Sequence, residues 1–170
     1  RDLGMDLVIT DHHECKSELP QAIALVDPHR KDQPQPVTEM AGVGVAFKLA
    51  AAIEGEQETL LDQYCDFLCL GTVADVMPLT GENRTMVARG LKALENPRRV
   101  GIAALMAECS VQKGPVTAGT IGYTLAPRIN AAGRMGEVGI ATELFLTHDA
   151  GRAVELAGGV CRLIPPRDDG

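Results

Sequence analysis

The sequence predicts an α/β fold in which a parallel sheet is followed by a helical segment. Two observations support this fold class. Residues 7–10 and 22–26 are short runs of β-branched and other apolar residues, as in sheet strands. After residue 43, apolar residues recur at intervals of three and four, which is the spacing of one helix face.

Both predicted strands run into charged residues. The first ends at an Asp-His-His triplet, residues 11–13, and the second ends at Asp27. Their continuous apolar character predicts that both faces of each strand are buried. Residues 27–36 are rich in proline and charged residues, so we expect a surface loop there.

The rest of the chain is predicted to be helical. Asn83 stands at the start of one helical segment and is expected to cap it. Pro78 marks a turn before that segment. The predicted helices cover residues 43–53, 58–70, 83–94, 101–109, 117–125, 136–146 and 150–156.

Composition and charge exclude several classes of protein. The chain has 170 residues and a net charge of −7, which excludes a generally basic nucleic-acid binder but not a metal-dependent enzyme that acts on phosphates. Aromatic residues make up 3% of the chain and leave little material for base stacking.

The cysteines indicate the redox compartment. There are five of them without a disulfide spacing, which predicts free thiols in a reducing compartment. No apolar run approaches the length of a membrane-spanning helix, which is about 18–20 residues.

The Asp11-His12-His13 triplet is the first candidate site. Ligands of open α/β sheets bind beyond the carboxyl ends of strands, and carboxylate with imidazole suits a divalent metal such as Mn²⁺. Adjacent histidines on extended backbone point to opposite sides, so one could bind metal while the other meets substrate. The alternative is a polar turn with both histidines in solvent.

Two further groups of polar residues lie among small or apolar neighbours. Asp75 is the only charged residue between Asp66 and Glu82. A metal would compensate the charge of its carboxylate; alternatively, Asp75 caps the helix or turn that follows it.

The second group contains Arg128, Asn130 and Arg134. It lies around Gly133, which would let a backbone approach closely. Arginine forks match phosphate oxygens, although pairing with surface carboxylates is an equal alternative.

These residues carry a resemblance to a known family. Thr10-Asp11-His12-His13-Glu14 resembles the motif that names the DHH phosphoesterases. The blocks at residues 39–48, 70–79, 81–84 and 127–135 are similar to those of one branch, the RecJ single-strand-specific exonucleases. The resemblance implies the later part of a Rossmann-like DHH parallel-sheet domain followed by a helical segment. The implied divisions are a partial catalytic domain, a helical continuation and an irregular tail, at residues 1–80, 81–163 and 164–170.

The resemblance also implies a function. It is a two-metal phosphodiesterase that uses Mn²⁺ or Mg²⁺ to remove nucleotides from the 5′ end of single-stranded DNA. The setting would be cytoplasmic DNA repair and recombination, with a single-strand-binding protein and a helicase as partners and no membrane. His12 and Asp75 would be metal ligands, His13 would reach the scissile phosphate and Asp11 would orient the histidines. The side of the site that faces the nucleic acid would be lined by Arg128, Asn130 and Arg134.

The sequence departs from the family pattern in its metal ligands. The family has an Asp-x-Asp-Gly block and a further aspartate upstream of the triplet, and neither is present here. We therefore expect an internal fragment with an incomplete metal site, marginally stable and inactive or nearly so alone. A truncation or a reading-frame slip would explain the end after Leu163. Two alternative functions remain: a DHH phosphodiesterase acting on short RNA or cyclic dinucleotides, and a catalytically dead module that binds nucleic acid or a partner.

Overall fold

The structure is a computed structural model that describes residues 3–32 and 39–164. It contains a small parallel sheet followed by helices, which confirms the predicted α/β class. The chain divides into two compact units, Arg1–Ala88 and Arg89–Gly170. The division at residue 80 stays a prediction, and residues 165–170 of the predicted tail lie outside the described residues. None of the helices in the described ranges is long and apolar enough to cross a membrane.

The first unit begins with two parallel strands, β1 (Val8–Thr10) and β2 (Ala24–Val26). The N–H of Asp11, directly after β1, donates to the carbonyl of Val26 at 3.0 Å. The first strand therefore delivers its polar triplet to the same sheet edge at which the second strand ends.

The predicted burial of the strands on both faces is wrong for this sheet. Leu7 is 55% exposed, Val8 52% and Ile23 68%. Within the described residues the sheet has two strands, and α1 (Gly42–Glu54) packs against β1. Two strands and one helix cover too little of the apolar surface to bury it.

A close helix crossing organises the rest of the first unit. α2 (Gln57–Ala74) packs on α1, and a Cβ placed on Gly71 would lie 2.6 Å from Val43 Cγ1. A residue without a side chain is therefore required at this crossing, and it sits one turn before the end of α2. α3 (Gly81–Leu94) begins in the first unit.

Asn83 has a different role from the predicted helix cap. It lies inside α3, is 1% exposed and donates from Nδ2 to the carbonyls of Glu39, at 2.7 Å, and Pro78, at 3.0 Å. The buried side chain amide thus ties the segment before α1 to the loop that comes after α2, because it donates to a carbonyl in each of them.

The second unit is helical. α4 packs on α8, and α7 packs on both. A Cβ on Gly101 would lie 1.7 Å from the Leu144 carbonyl oxygen, so the backbones of α4 and α7 are in contact there. Its elements are α4 (Val100–Glu108), α5 (Ala118–Thr120), a π-helical turn (Ile121–Leu125), α6 (Ala126–Arg134), α7 (Val138–Leu146) and α8 (Ala150–Arg162).

The helix predicted to end at residue 125 continues through α6. Pro127 lacks an N–H, and the π-helical turn before it shifts the pattern so that the Ala126 N–H donates to the Ile121 carbonyl, five residues back. The Arg128 guanidinium donates to the Thr124 carbonyl at 2.6 Å. These two contacts satisfy carbonyls in the turn and allow the helix to pass the proline.

Candidate metal centre

Asp11 organises the backbone directly after β1. Its Oδ1 accepts from the N–H of His12 at 2.7 Å, from the N–H of His13 at 3.4 Å and from His13 Nδ1 at 2.7 Å. This bend overturns the prediction that the histidines point to opposite sides, because their ring centroids lie 4.4 Å apart. One donor atom from each of the three side chains lies within 4.8 Å of the others.

Asp75, at the end of α2, lies close to His12 of the triplet. His12 Nε2 and Asp75 Oδ2 are 3.8 Å apart, and the side chains are 21% and 44% exposed. Two ligands of an octahedral cation with bonds of about 2.1 Å lie roughly 3.0 Å apart when adjacent and 4.2 Å when opposite. The separation of 3.8 Å lies between these two values. Mixed nitrogen and oxygen donors suit Mn²⁺, whereas Mg²⁺ prefers oxygen ligands. The residues fit a divalent metal.

The end of α2 fixes the position of Asp75. Asp75 comes directly after the last helical residue, and the N–H groups of Val76 and Met77 each donate at 3.1 Å to the carbonyls of Val73 and Thr72. This helix ending needs a left-handed residue, which is usually glycine, but Val76 occupies it with φ 57°. A β-branched residue in this conformation is strained. Asp75 therefore ends α2, whereas the alternative drawn from the sequence was a cap for the next helix or turn.

The first residues of α1 contact His12 and the helix that ends at Asp75. A Cβ on Gly42 would lie 3.2 Å from His12 Cδ2, so the helix backbone is packed against the imidazole. The next residue, Val43, packs against Gly71, one turn before Asp75. The start of α1 thus sets the distance between His12 and Asp75, and sequence analysis missed this role of Gly42.

The charges around the triplet favour protonated His13. The hydrogen bond to Asp11 raises the pKa of His13 above its ordinary value, with smaller contributions from Asp75 and Asp27. The same hydrogen bond, with the N–H of His12, lowers the pKa of Asp11. The sequence predicts only a surface loop at Asp27, which is 4% exposed, although its position after the second strand could have placed it at this edge.

The arginine block lies on α6, in the second unit. Asn130 and Arg134 are exposed and stand one helical turn apart, so they share a face. Arg128 is half-buried and its guanidinium donates to Thr124, on a different side of the helix. Gly133 is exposed and a Cβ there would meet nothing within 4 Å among the described residues, so the close backbone approach at this position stays a prediction.

Comparison with known proteins places these features in a family. The DHH family, N-terminal domain, matches residues 1–72, the part that contains the triplet. The single-stranded-DNA-specific exonuclease RecJ of Bacillus subtilis (strain 168) is 41% identical over 163 residues, which cover 96% of this chain. Residues 1–72 thus match a DHH domain, and nearly the whole chain is similar to RecJ. The chain spans 20% of the length of the Bacillus protein.

Solved RecJ structures have the same fold as this chain. The crystal structure of RecJ in complex with Mn²⁺ from Thermus thermophilus matches with a TM-score of 0.82 and 36% identity, covering 95% of this chain and 24% of that one. The Mg²⁺ complex of RecJ from the same organism matches with a TM-score of 0.65 and 38% identity, covering 78% of this chain and 21% of that one.

Proposed function

We propose that this chain forms part of the catalytic domain of a metal-dependent exonuclease that hydrolyses single-stranded DNA from its 5′ end. The observation that carries the proposal is the 3.8 Å approach of His12 Nε2 to Asp75 Oδ2, beside a triplet matched by the DHH family. RecJ of Thermus thermophilus forms complexes with Mn²⁺ and with Mg²⁺, so these are the proposed cofactors.

The four residues of the centre have separate proposed roles. His12 and Asp75 would hold the metal. Asp11 accepts a hydrogen bond from His13 Nδ1, which leaves His13 Nε2, on an exposed ring, to donate a hydrogen bond to a phosphate oxygen. A protonated His13 would stabilise the charge that builds on that oxygen during hydrolysis. When bound, a pair of divalent cations supplies hydroxide at neutral pH and neutralises phosphate charge.

Nucleic-acid contacts are proposed for Arg128, Asn130 and Arg134. Asn130 and Arg134 are the better supported pair, because both are exposed on one face of α6. Arg128 would have to leave the Thr124 carbonyl before it could bind phosphate.

The wider setting is also a proposal. The RecJ relatives support single-stranded DNA as the substrate class. DNA repair and recombination in the cytoplasm are proposed as the setting. A single-strand-binding protein and a helicase are proposed partners. The donors found in the described first unit are fewer than two cations require, so we expect the chain alone to hydrolyse DNA weakly or not at all.

The proposed function is tested with a chimaera in which this chain replaces the matching segment of the Bacillus subtilis relative. The substrate is a 5′-phosphorylated single-stranded oligonucleotide with Mn²⁺, beside short RNA and a cyclic dinucleotide. We expect release of mononucleotides from the 5′ end of DNA, reduced at least about 100-fold by His12→Ala and by Asp75→Asn.

The matched control is His148→Ala, which removes an exposed imidazole from the loop between α7 and α8 and should leave the rate unchanged. Single-strand binding without hydrolysis by the folded chimaera would contradict the proposal and favour a catalytically dead module. Preference for the RNA or cyclic substrate would contradict the assignment to DNA.

A further inference from the structure

Two cysteines of the second unit lie with their sulfurs in contact. Cys109 comes directly after the last residue of α4, and Cys161 lies in the last turn of α8. Their Sγ atoms are 3.7 Å apart, although the residues are 52 positions apart in the chain. Both are free thiols and half-buried, whereas Cys65 and Cys69 are buried within α2.

We propose that Cys109 and Cys161 form a redox modification site, at which a peroxide converts the two thiols into a disulfide joining α4 to α8. A disulfide has an S–S length of about 2.05 Å, so the sulfurs must approach by roughly 1.7 Å. The packing of α4 on α8 holds the two thiols together before oxidation, and side-chain rotation with a small helix shift supplies the remaining approach.

The reaction balances with hydrogen peroxide as the oxidant. One cysteine sulfur attacks a peroxide oxygen; an S–O bond forms, the O–O bond breaks and water leaves after proton transfer. The second sulfur then attacks the sulfenic sulfur, the S–O bond breaks and a second water leaves. In total two thiols lose two electrons and two protons, and one peroxide becomes two waters. A dithiol reductant reverses the change by thiol–disulfide exchange.

The surroundings make this site slow to react but specific. Burial, followed by the neighbouring Cys161, raises the pKa of Cys109 to about 12, so its thiol stays protonated at neutral pH. Contact between the two sulfurs compensates, because the second step is intramolecular and the partner thiol is already in place.

The test treats the folded 170-residue chain with millimolar peroxide, removes the excess and maps the thiols. We expect a loss of about 2 Da and a fall from five to three in the thiols that react once the chain is unfolded in denaturant. Tryptic peptides 100–113 and 153–162 should become linked, and dithiothreitol should separate them. Because the crosslink closes a long loop, we expect the unfolding midpoint to rise by about 5–10 °C.

Variants make the assignment specific. Cys161→Ser and Cys109→Ser should each abolish the mass loss, while Cys65→Ser should retain it. The peptide map of the unaltered chain needs no variant to fold. A chain that keeps five reactive thiols, or one whose link joins other cysteines, overturns the proposal.

Discussion

The contact between Gly42 and His12 allows the metal centre to be altered without loss of the fold. Gly42 is the first residue of α1, and its φ lies outside the positive region that resists side chains. A methyl group at this position, as in Gly42→Ala, would lie 3.2 Å from His12 Cδ2 and 3.5 Å from Nε2. Comfortable contacts between carbon atoms are about 3.5–4.0 Å, so the ring must retreat by roughly 0.5 Å.

That displacement exceeds the variation that metal–ligand distances tolerate, which is about 0.2 Å. We therefore expect Gly42→Ala to weaken Mn²⁺ binding about tenfold, or about 1.4 kcal/mol. The free energy of unfolding should change by less than about 1 kcal/mol, because alanine favours the helix and offsets the crowding.

Electron paramagnetic resonance of free Mn²⁺ gives the affinity, and urea unfolding of the metal-free chain gives the stability. Gly139→Ala is the matched control, because it also adds a methyl group near a helix start but meets nothing within 4 Å. Unchanged Mn²⁺ affinity in Gly42→Ala refutes the packing argument. A parallel loss of stability and affinity would mean that the substitution acts on the fold.

Further predictions concern stability and protonation. Gly101→Ala should cost about 3 kcal/mol or more in urea unfolding, because its Cβ would lie 1.7 Å from a carbonyl oxygen of α7; Gly139→Ala should cost none. Val76→Gly should raise the free energy of unfolding in urea by about 0.5–1 kcal/mol, because glycine adopts the left-handed conformation without the strain of valine. A lower free energy of unfolding would contradict this. In the metal-free chain, proton NMR should place the His13 pKa above 6.5, and Asp11→Asn should lower it. Folding raises this pKa and lowers that of Asp11, so the pair stabilises the fold most between their ordinary values of 3.8 and 6.5. The contribution is lost as pH rises through the folded pKa of His13 and as pH falls through the folded pKa of Asp11.

Much of the candidate metal centre could be predicted because three of its four residues are adjacent in the sequence. The Asp-His-His triplet comes directly after β1, and strand ends are where ligands bind in α/β sheets. Asp75 was noticeable as a lone carboxylate among apolar residues. Periodicity also located most helices, since the apolar face of each one repeats over several turns.

The features that were missed depend on contacts between distant segments or on local backbone exceptions. The convergence of the two histidine rings comes from the Asp11 carboxylate, which bends a backbone that the alternation rule assumes to be straight. Passage of the helix through Pro127 depends on a π-helical turn that periodicity does not reveal. Asn83 and Gly42 resemble ordinary cap and helix-start residues until the segments they contact are known.

Pulsed electron paramagnetic resonance of Mn²⁺ added to the chain, read for coupling to a ligand ¹⁴N nucleus, tests directly whether His12 holds the metal. We expect histidine nitrogen coupling that is lost in His12→Ala, weakened together with binding in Asp75→Asn and retained in His148→Ala. Nitrogen coupling that persists in His12→Ala, or Mn²⁺ bound without nitrogen coupling in the unaltered chain, would contradict it.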